Sequence, residues 1–509
     1  MDFAGARVLA RAGLLQPVRP DRLLGMALAL ARWGVSPATG YAAGAARHPD
    51  RPALIDDDGT LTYREVHERT DRIAGELRAA GVEPGDAVGL LARNGRGFID
   101  GLVALSKCGA DVICLNTGAG PEQIADVVDA HGITALIYDD DLASRVGSAV
   151  GGRMTFTTEK LGELAANSEL SAPAKSDHKS RLVILTSGTT GTPRGAARSS
   201  ASIDDAVSML SRIPLRAGEK TFIASPLFHA WGLGQWAVAM LLGATIVVQR
   251  RFDPARVLSA IEEHQATGLV VVPVMLDRLL EVPTDHADAS SLRVIASSGS
   301  ALPGELATRV LERFGPVLYN LYGSTEVAYV AVANPEELAK DPRTAGKPPW
   351  GVKLRIVDEN GHDCPPGVDG RIFAGSGLSF EGYTDGSDKD RLDGLVATGD
   401  RGVLASDGTL TVLGRDDDMV VIGGENVFTT QVEDALRAHT KVRDVAITTA
   451  DDPSLGVRLI AHVVGDASAE ELEQHVQSRL ARFAVPKEFR FVDELPRNAT
   501  GKVLKRDLA

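Results

Sequence analysis

LVILTSGTTGTPRGAA, residues 182–197, is the stretch around which the rest of the chain is organised. Its aliphatic run, residues 182–185, predicts a buried strand. Hydroxyls and glycines then follow, and a turn of this kind offers hydroxyls and backbone amides to phosphate oxygens. The Gly-Lys-Ser/Thr ending of a Walker loop is missing. The segment therefore predicts a phosphate-binding loop, with an ordinary Ser/Thr/Gly surface loop as the alternative.

The composition of the whole chain narrows the class of protein. A length of 509 residues predicts more than one domain, and 44% hydrophobic with 24% charged residues is typical of a globular protein. The net charge of −14 argues against a nucleic-acid-binding protein, which would carry a basic domain or stripe. Cys108, Cys114 and Cys364 fit neither a disulfide framework nor a metal-ligand spacing, so a reducing, cytoplasmic setting is expected.

Residues 1–40 form a locally basic leader with five arginines and two aspartates. Asp21 is expected to cap a short helix that continues to Trp33. The apolar run 23–31 has about half the length needed to span a membrane, and Arg32 interrupts the pattern of a secretory signal. A helix packed on the body of the protein is the favoured interpretation, and a weak peripheral contact with a membrane surface is the alternative.

Beyond the leader, short apolar strands alternate with amphipathic helices. Residues 52–56 and 60–64 predict a hairpin, whereas 163–180 lack any period and predict a loop. Strand–helix alternation predicts the α/β fold class, with a large N-terminal domain of helix-covered, mostly parallel sheets. Short strands and Gly/Asp turns after residue 350 predict a small β unit, and the segment beyond 418 predicts a small α+β domain.

Polar clusters follow the apolar strands, in the place where open α/β sheets bind ligands. Each cluster alone is a weak signal, because a Gly-Asp pair is often a turn and a lone Glu is often solvated. Together and in this order they resemble the adenylate-forming (AMP-binding) superfamily, in its acyl-CoA synthetase branch, over about residues 40–509. The segments that carry the resemblance are 186–195, 228–232, 298–301, 322–326 and 398–400, followed by Arg415 and Lys502.

The resemblance implies an ATP site. Asp400 would accept hydrogen bonds from both ribose hydroxyls and Arg415 would donate one. Glu326 with Thr186 would hold Mg²⁺, which prefers carboxylate and phosphate oxygens. The phosphates would be bound by Thr186, Ser187, Gly188, Thr189, Thr190, Gly191 and Arg194. The adenine would stack on Tyr322, with Gly299, Ser300, Ala301, Asn320, Gly323, Ser324 and Thr325 around it.

The resemblance also implies a reaction in two steps. Lys502 would lie between the substrate carboxylate and the α-phosphate of ATP, where a fixed cation and Mg²⁺ stabilise developing charge. A thiol would then attack the acyl carbon, after the C-terminal domain has rotated about Asp417 and brought Gly423, Gly424 and Glu425 to the pantetheine tunnel of coenzyme A. Asp417 is otherwise a solvated aspartate. The implied domains are 1–40 (leader), 41–415 (large), 416–417 (hinge) and 418–509 (small).

His229 stands where amino-acid-activating members of the superfamily usually have an Asp that pairs with the substrate ammonium. Its expected companions in the acyl pocket are Phe228, Trp231, Gly232 and Val274. A pocket of this composition implies a hydrophobic, uncharged acyl group, such as a fatty or polycyclic acid. His229 is then a catalytic or gating residue of the pocket, or simply a packed aromatic ring.

Arg194 departs from the family, whose loop usually has Lys at this position. Arg and Lys differ in shape and hydration, so an enzyme that carries out only the thioesterification of a supplied acyl-adenylate remains an alternative. A second alternative transfers the acyl group to the phosphopantetheine of a carrier protein. A nucleotide-binding protein without catalysis is the third, and the set Glu326, Asp400 and Lys502 argues against it.

Overall fold

The computed structural model describes residues 3–149, 151–178, 180–185, 195–197, 203–324, 326–379, 382–383, 388–416, 419–422, 425–452, 456–498 and 501–508. Several predicted site residues lie outside these ranges, namely the loop residues 186–191 and Arg194, Thr325, the hinge residue Asp417, and Gly423 and Gly424. The chain divides into two compact units. The first consists of Met1–Val271, Glu281–Ala296 and Phe380–Asp388, and the second of Val272–Leu280, Ser297–Ser379 and Lys389–Ala509.

The α-helices in chain order are α1 (Phe3–Arg11), α2 (Pro20–Trp33), α3 (Pro37–Arg47), α4 (Tyr63–Ala79), α5 (Arg96–Cys108), α6 (Pro121–Ala130), α7 (Ala143–Val146), α8 (Thr158–Asn167), α9 (Ile203–Arg212), α10 (Ala230–Leu241), α11 (Pro254–His264), α12 (Pro273–Glu281), α13 (Gly304–Phe314), α14 (Pro335–Lys340), α15 (Thr429–Arg437) and α16 (Ala469–Gln477).

The strands are β1 (Pro52–Asp56), β2 (Gly59–Thr62), β3 (Ala87–Leu91), β4 (Asp111–Cys114), β5 (Ala135–Tyr138), β6 (Met154–Thr157), β7 (Leu182–Leu185), β8 (Gly195–Ala197), β9 (Lys220–Ile223), β10 (Thr245–Val247), β11 (Gly268–Val271), β12 (Val294–Ser297), β13 (Leu318–Tyr322), β14 (Ala331–Ala333), β15 (Lys353–Val357), β16 (Asp369–Gly375), β17 (Gly382–Tyr383), β18 (Arg391–Leu392), β19 (Leu395–Leu404), β20 (Leu410–Arg415), β21 (Met419–Ile422), β22 (Glu425–Phe428), β23 (Val442–Asp452), β24 (Gly456–Gly465) and β25 (Glu488–Phe491).

One sheet of the first unit carries the predicted phosphate-loop strand. Its order is β17-β8-β7-β4-β3-β5-β6, and β7, β4, β3, β5 and β6 run parallel. Strand β7 pairs with β4 at Cys114 and Ile184, so the chain enters the predicted phosphate loop at the carboxyl end of a parallel strand. The strand is half-buried, whereas the sequence predicted a fully buried one. The fold class is nevertheless confirmed, because parallel strands connected by helices build the core of this unit.

The other sheet of the first unit contains the predicted hairpin. Strands β1 and β2 pair antiparallel, and β1, β10, β9 and β11 run parallel beside each other. The hairpin is confirmed, but it ends at Thr62 and not at residue 64. Thr62 and Glu65 form a capping box, and this pair starts helix α4 at Tyr63.

Two loop predictions in the first unit are wrong in part. The predicted loop 163–180 begins with the last turns of α8, whose start is capped by Thr157 and which buries Leu161 and Ala165. Residues 230–232, expected as a small-residue turn after the strand that begins at Thr221, are already helical, because α10 begins at Ala230 with His229 in the N-cap position. In both places a helix covers residues that the sequence pattern assigned to a loop.

The leader is helical and packs on the first unit. Asp21 does not cap the second helix as predicted, because the N-cap residue of α2 is Arg19 and Pro20 occupies the first turn. Asp21 instead accepts two hydrogen bonds from the Arg19 guanidinium at 3.0 and 3.1 Å. No helix among the described residues has the length and apolar character needed to cross a bilayer.

The second unit contains the predicted small β unit and the C-terminal α+β segment. Strands β15, β16, β19 and β18 are neighbours in an antiparallel sheet, and β20 also pairs with β19. In the C-terminal segment β24 lies between β23 and β25, and helices α15 and α16 bury Val432, Leu436 and Leu472 in the same core. The capping box of Ser468 and Glu471 starts α16.

Candidate active site

A bend inside strand β19 carries the predicted ribose-binding aspartate. The register between β16 and β19 shifts between Arg371 and Phe373, and the extra residues of β19 include Gly399 and Asp400. Gly399 has φ +80°, a left-handed conformation that favours glycine. This cluster therefore lies within a strand and not at its end, and the irregularity re-aims the Asp400 side chain.

Asp400 is the centre of a hydrogen-bonded group in the second unit. The Tyr322 hydroxyl donates to Asp400 Oδ2 at 2.5 Å, and the Asp400 amide donates to Thr398 Oγ1 at 3.1 Å. Arg415 lies opposite Asp400 in the pairing of β19 with β20. Its Nη1 is 3.6 Å from Asp400 Oδ1 and donates to the Thr398 carbonyl at 3.3 Å. The structure thus brings together three residues that the sequence placed around the nucleoside.

The environment keeps Tyr322 protonated. Burial raises the pKa of its phenol well above 10, and the negative charge of Asp400 raises it further. A neutral phenol can donate its proton to the carboxylate, which is the direction of the observed hydrogen bond. The ring is thereby fixed in place beside Asp400, as a stacking surface requires.

The turn after β13 is folded tightly on itself. A Cβ on Gly323 would lie 2.1 Å from the carbonyl oxygen of Ala328, so the backbone leaves no room for a side chain there. Ser324 Oγ accepts the backbone amides of Glu326 and Val327, each at 3.3 Å. The turn fixes the backbone of Glu326, the predicted metal-binding carboxylate.

Asn320 offers an acceptor that no described residue uses. Its Oδ1 is buried and has no hydrogen-bond partner in the described part of the chain. A buried acceptor without a partner is costly, so a ligand with a donor group fits at this point. Of the other predicted adenine neighbours, Gly299 is exposed with φ +94°, Ser300 is half-buried and Ala301 is exposed.

The loop that carries Lys502 lies in the second unit against Val274. A Cβ on Gly501, which has φ +80°, would be 2.4 Å from Val274 Cγ1, so only glycine allows this approach. Asn498 closes the loop, because its side chain accepts the Lys502 amide at 2.9 Å and its own amide donates to the Lys502 carbonyl at 2.9 Å. The side chain of Lys502 is exposed. The residue that precedes Lys502 therefore lies against Val274, a predicted acyl-pocket residue.

Arg497 supports this loop, and the sequence analysis did not identify it. Its guanidinium donates to the Gly501 carbonyl and to Asp444 in β23. Asp444 also lies 3.5 Å from Arg437 of α15. The loop is thus connected through charged hydrogen bonds to the core of the C-terminal segment, although Arg497 and Asp444 are 53 residues apart in the chain.

The predicted acyl-binding segment, residues 228–232, belongs to the first unit. Asn94 holds the residues before it, since its side chain donates to the Ser225 carbonyl at 3.0 Å and accepts the Leu227 amide at 2.8 Å. Gly232 is buried, and a Cβ there would lie 2.3 Å from the Pro226 carbonyl oxygen. Trp231 Nε1 donates to the Val271 carbonyl at 2.9 Å. Asn94 is a second positioning residue that the sequence analysis missed.

His229 is a neutral ring in apolar surroundings. Its centroid is 4.5 Å from that of Phe228, and its Nε2 is buried without a hydrogen-bond partner among the described residues. Burial lowers the pKa of His229 to about 4, so the ring is uncharged near pH 7. An uncharged ring does not attract a carboxylate electrostatically, which agrees with the predicted apolar acyl pocket.

The donor set fits a magnesium ion that is carried by a nucleotide. Among the described residues no three His, Cys, Asp or Glu side chains are grouped as a metal site would require. Mg²⁺ usually takes one or two carboxylates together with phosphate oxygens and water. Glu326 would be one such carboxylate, while Thr186 lies outside the described residues.

Comparisons with known proteins identify the family. Residues 41–384 match the family of AMP-binding enzymes, and residues 431–502 match the AMP-binding enzyme C-terminal domain. The chain belongs to the AMP-binding enzyme family. The resemblance inferred from the sequence is thereby confirmed, and the family's activity, an acid–thiol ligation through an acyl-adenylate with ATP, Mg²⁺ and coenzyme A, is the predicted one.

Individual relatives cover nearly the whole chain. A feruloyl-CoA synthase from Amycolatopsis sp is 32% identical over 90% of this chain and 96% of its own length. A fatty acid–acyl-carrier-protein ligase from Streptomyces coeruleorubidus is 30% identical over 91% of this chain and 94% of its own length. The structure of o-succinylbenzoate CoA synthetase from Bacillus subtilis with its acyl-adenylate has a TM-score of 0.83 at 28% identity, covering 92% of this chain and 97% of that chain.

Proposed function

We propose that this protein activates a hydrophobic, uncharged carboxylic acid with ATP and transfers the acyl group to coenzyme A. The observation that supports the proposal most directly is the group of Tyr322, Asp400 and Arg415, which presents a ring, a carboxylate and a guanidinium within one hydrogen-bonded unit. Asp400 would accept the ribose hydroxyls and Arg415 would donate to the ribose. The unsatisfied Oδ1 of Asn320 would accept the adenine amino group.

The first half-reaction requires positive charge at the α-phosphate. In the proposal Lys502 supplies it, and the contact of Gly501 with Val274 supports a position near the acid. Glu326 and Thr186 would hold Mg²⁺, which when bound neutralises the charge of the phosphate oxygens. The loop residues 186–191 and Arg194 would bind the departing pyrophosphate.

The second half-reaction requires the thiol to reach the acyl carbon. We propose that the segment 418–509 rotates about the hinge 416–417 relative to 41–415, and that Gly423, Gly424 and Glu425 then line the path of the pantetheine. The backbone amide of Asp416, next to the hinge residue Asp417, donates a hydrogen bond to the Gly399 carbonyl at 2.9 Å. The Asp416 carboxylate lies 3.6 Å from the Arg371 guanidinium. A first hinge residue that is anchored in this way leaves the backbone change to Asp417, the residue after it.

The acid is proposed from the composition of the pocket residues. Phe228, Trp231, Gly232 and Val274 are apolar or aromatic, and His229 is neutral. One relative is named for ferulate and another for fatty acids, which supports an aromatic or an aliphatic acid. We propose an acid from these two classes, with no charge beyond its carboxylate.

The acceptor and the location complete the proposal. Coenzyme A is proposed as the acceptor, and a carrier-protein phosphopantetheine is the alternative that the Streptomyces coeruleorubidus relative supports. A cytoplasmic location is proposed because Cys108, Cys114 and Cys364 are unpaired thiols. A contact of residues 1–40 with a membrane surface is supported by the exposed leucines of α2.

The decisive experiment is a panel of hydrophobic acids measured separately for pyrophosphate release and for thioester formation. We expect both products with at least one acid and coenzyme A. In Lys502→Ala, pyrophosphate release is expected to fall by about 10²–10³-fold, since the variant lacks the positive charge that would stabilise the transition state. Thioester formation from synthetic acyl-adenylate is expected to fall much less.

Each failure would point to a different alternative. Thioester from supplied adenylate without any pyrophosphate release would support an enzyme limited to the second half-reaction. A product on holo-carrier protein alone would replace coenzyme A as the acceptor. Neither product with any acid would leave a nucleotide-binding protein, and equal losses of both half-reactions in Lys502→Ala would contradict the rotating-domain account.

A further inference from the structure

The outward face of helix α2 is apolar although it is exposed. Leu23, Leu24, Leu28 and Leu30 have 50%, 61%, 61% and 51% of their surfaces accessible. The described chain has eleven large hydrophobic residues exposed in this way, and six of them lie within residues 15–35. Soluble monomers seldom gather exposed apolar side chains in one place without a binding role. The leader thus presents an interaction surface that the acyl-transfer chemistry does not need.

The opposite face of α2 carries small residues. Ala29 is buried, and a Cβ on Gly25 would lie 2.8 Å from the Cβ of Ala46 in α3, so these two helices pack closely. A surface helix ordinarily buries its large apolar side chains and exposes polar ones. In α2 Trp33 packs against His67 while all four leucines are exposed, so the leucines do not serve to attach the helix to the protein.

Polar contacts at both ends fix the orientation of α2. Arg22 donates to the Arg47 carbonyl at 2.7 Å, and Arg32 donates to the Pro173 carbonyl at 2.9 Å. Rotating the helix to bury its leucines would break both contacts. The leucine face is therefore held outward by the native structure.

The charge of the leader indicates which kind of partner binds to the leucine face of α2. Residues 1–40 carry five arginines and two aspartates in a chain whose net charge is −14; Arg7 and Arg11 are exposed, whereas Arg19 is paired with Asp21. A symmetric contact between two copies would bring two leaders of the same positive charge together, which is unfavourable. Anionic lipid headgroups complement it, and leucines insert into the boundary of the acyl chains. We propose that α2 binds the surface of an anionic membrane, which is also where hydrophobic acids accumulate.

The test uses the full-length protein and sedimentation with vesicles of phosphatidylcholine, with and without phosphatidylglycerol. We expect binding to the anionic vesicles, weaker binding in high salt, and little binding to pure phosphatidylcholine. The double substitution Leu24→Ser/Leu28→Ser is expected to lower the bound fraction by about tenfold or more, because two exposed leucines no longer insert.

The matched control replaces two hydrophobic residues elsewhere that are exposed to a similar degree, Val368→Ser/Phe491→Ser, with 46% and 48% exposure. We expect vesicle binding of this control to equal that of the wild type, and both double variants to keep the thermal unfolding midpoint. The proposal would be overturned if the wild type did not bind anionic vesicles, if the leucine variant bound them as well as the wild type, or if the wild type bound neutral vesicles equally well. A wild-type dimer that dissociates on the leucine substitutions would assign the face to self-association and overturn it as well.

Discussion

Two groups of predicted site residues differ in how their polar atoms are satisfied. In the second unit Asp400 accepts the Tyr322 hydroxyl and lies 3.6 Å from Arg415, so its carboxylate has partners within the protein. In the first unit His229 lies among apolar side chains, and its Nε2 has no partner in the described chain. The nucleotide is the same in every turnover of such an enzyme, whereas the acid sets specificity. The difference suggests a preorganised nucleotide part and an acid part that the substrate completes.

Removing the central carboxylate of the nucleotide part is expected to have a large effect on the use of ATP. Asp400→Ala loses the proposed ribose acceptor and the partner of Tyr322, so kcat/KM for ATP should fall by about 100-fold. The preference among acids should not change. Pyrophosphate release at varied ATP, with several acids at saturation, measures both quantities.

Asp407→Ala is the matched control, because Asp407 is an exposed aspartate beside β20 that pairs with Lys347 at 3.3 Å. It should leave kcat/KM for ATP close to that of the wild type. A similar loss in this control would attribute the effect of Asp400→Ala to the stability of the sheet. A changed acid preference in Asp400→Ala would break the division between the two parts.

Arg497→Met tests whether the nucleotide part extends to the loop that carries Lys502. The guanidinium donates to the Gly501 carbonyl and to Asp444, so its loss should free the loop without removing the lysine. We expect pyrophosphate release to fall by about tenfold, the cost of one charged hydrogen bond, and thioester formation from supplied acyl-adenylate to stay near the wild-type rate. Separate half-reaction assays provide the measurement.

Arg490→Met serves as its control, since the Arg490 guanidinium donates to Glu488 at 2.7 Å within β25. Arg497→Lys should recover part of the lost adenylation. If Arg497→Met slows both half-reactions alike, the residue supports the fold of the C-terminal segment and does not position Lys502. If Lys502→Ala itself has no effect on pyrophosphate release, the result contradicts the proposed role of Lys502, and the Arg497 variants then do not test how that lysine is positioned.

The sequence predicted the local features of the site better than its long-range contacts. The hairpin formed by β1 and β2 is confirmed, because it depends on residues that are close together in the chain. The order of the polar clusters predicted the family correctly, as the family matches over residues 41–384 and 431–502 show. The bend at Asp400 was missed, since it is defined by the register with β16, which lies far away in the chain.

The supporting residues could not be found for the same reason. Asn94 acts on residues about 130 positions later, with separations of 131 and 133 to Ser225 and Leu227. Arg497 acts through Asp444, 53 positions earlier. No periodicity or local motif connects such pairs. The exposure of the α2 leucines was likewise hidden, because an apolar helix has the same sequence pattern whichever face it buries.

His229→Phe is expected to have the smallest effect and to act on the acid part alone. The ring packing against Phe228 is kept while the unpartnered Nε2 is lost, so KM for ATP should be unchanged and the preference should move a few-fold toward purely apolar acids. A panel of acids with and without a polar substituent measures the shift. A raised KM for ATP would show that the two parts are not independent.

The same substitution also changes the pH dependence of stability. Burial lowers the pKa of His229 to about 4, whereas an unfolded histidine titrates near 6.5, so the unfolded chain binds more protons between these values. The stability contributed by the neutral ring is present above about pH 6.5 and is lost as the pH falls toward 4. On acidification the free energy of unfolding should therefore fall by about 1–3 kcal/mol less in His229→Phe than in the wild type. Urea denaturation at pH 7 and at pH 4.5 checks this, and the substitution of an exposed histidine, His286→Gln, is the control. An equal loss of unfolding free energy in wild type and His229→Phe would show that His229 is not buried in its neutral form.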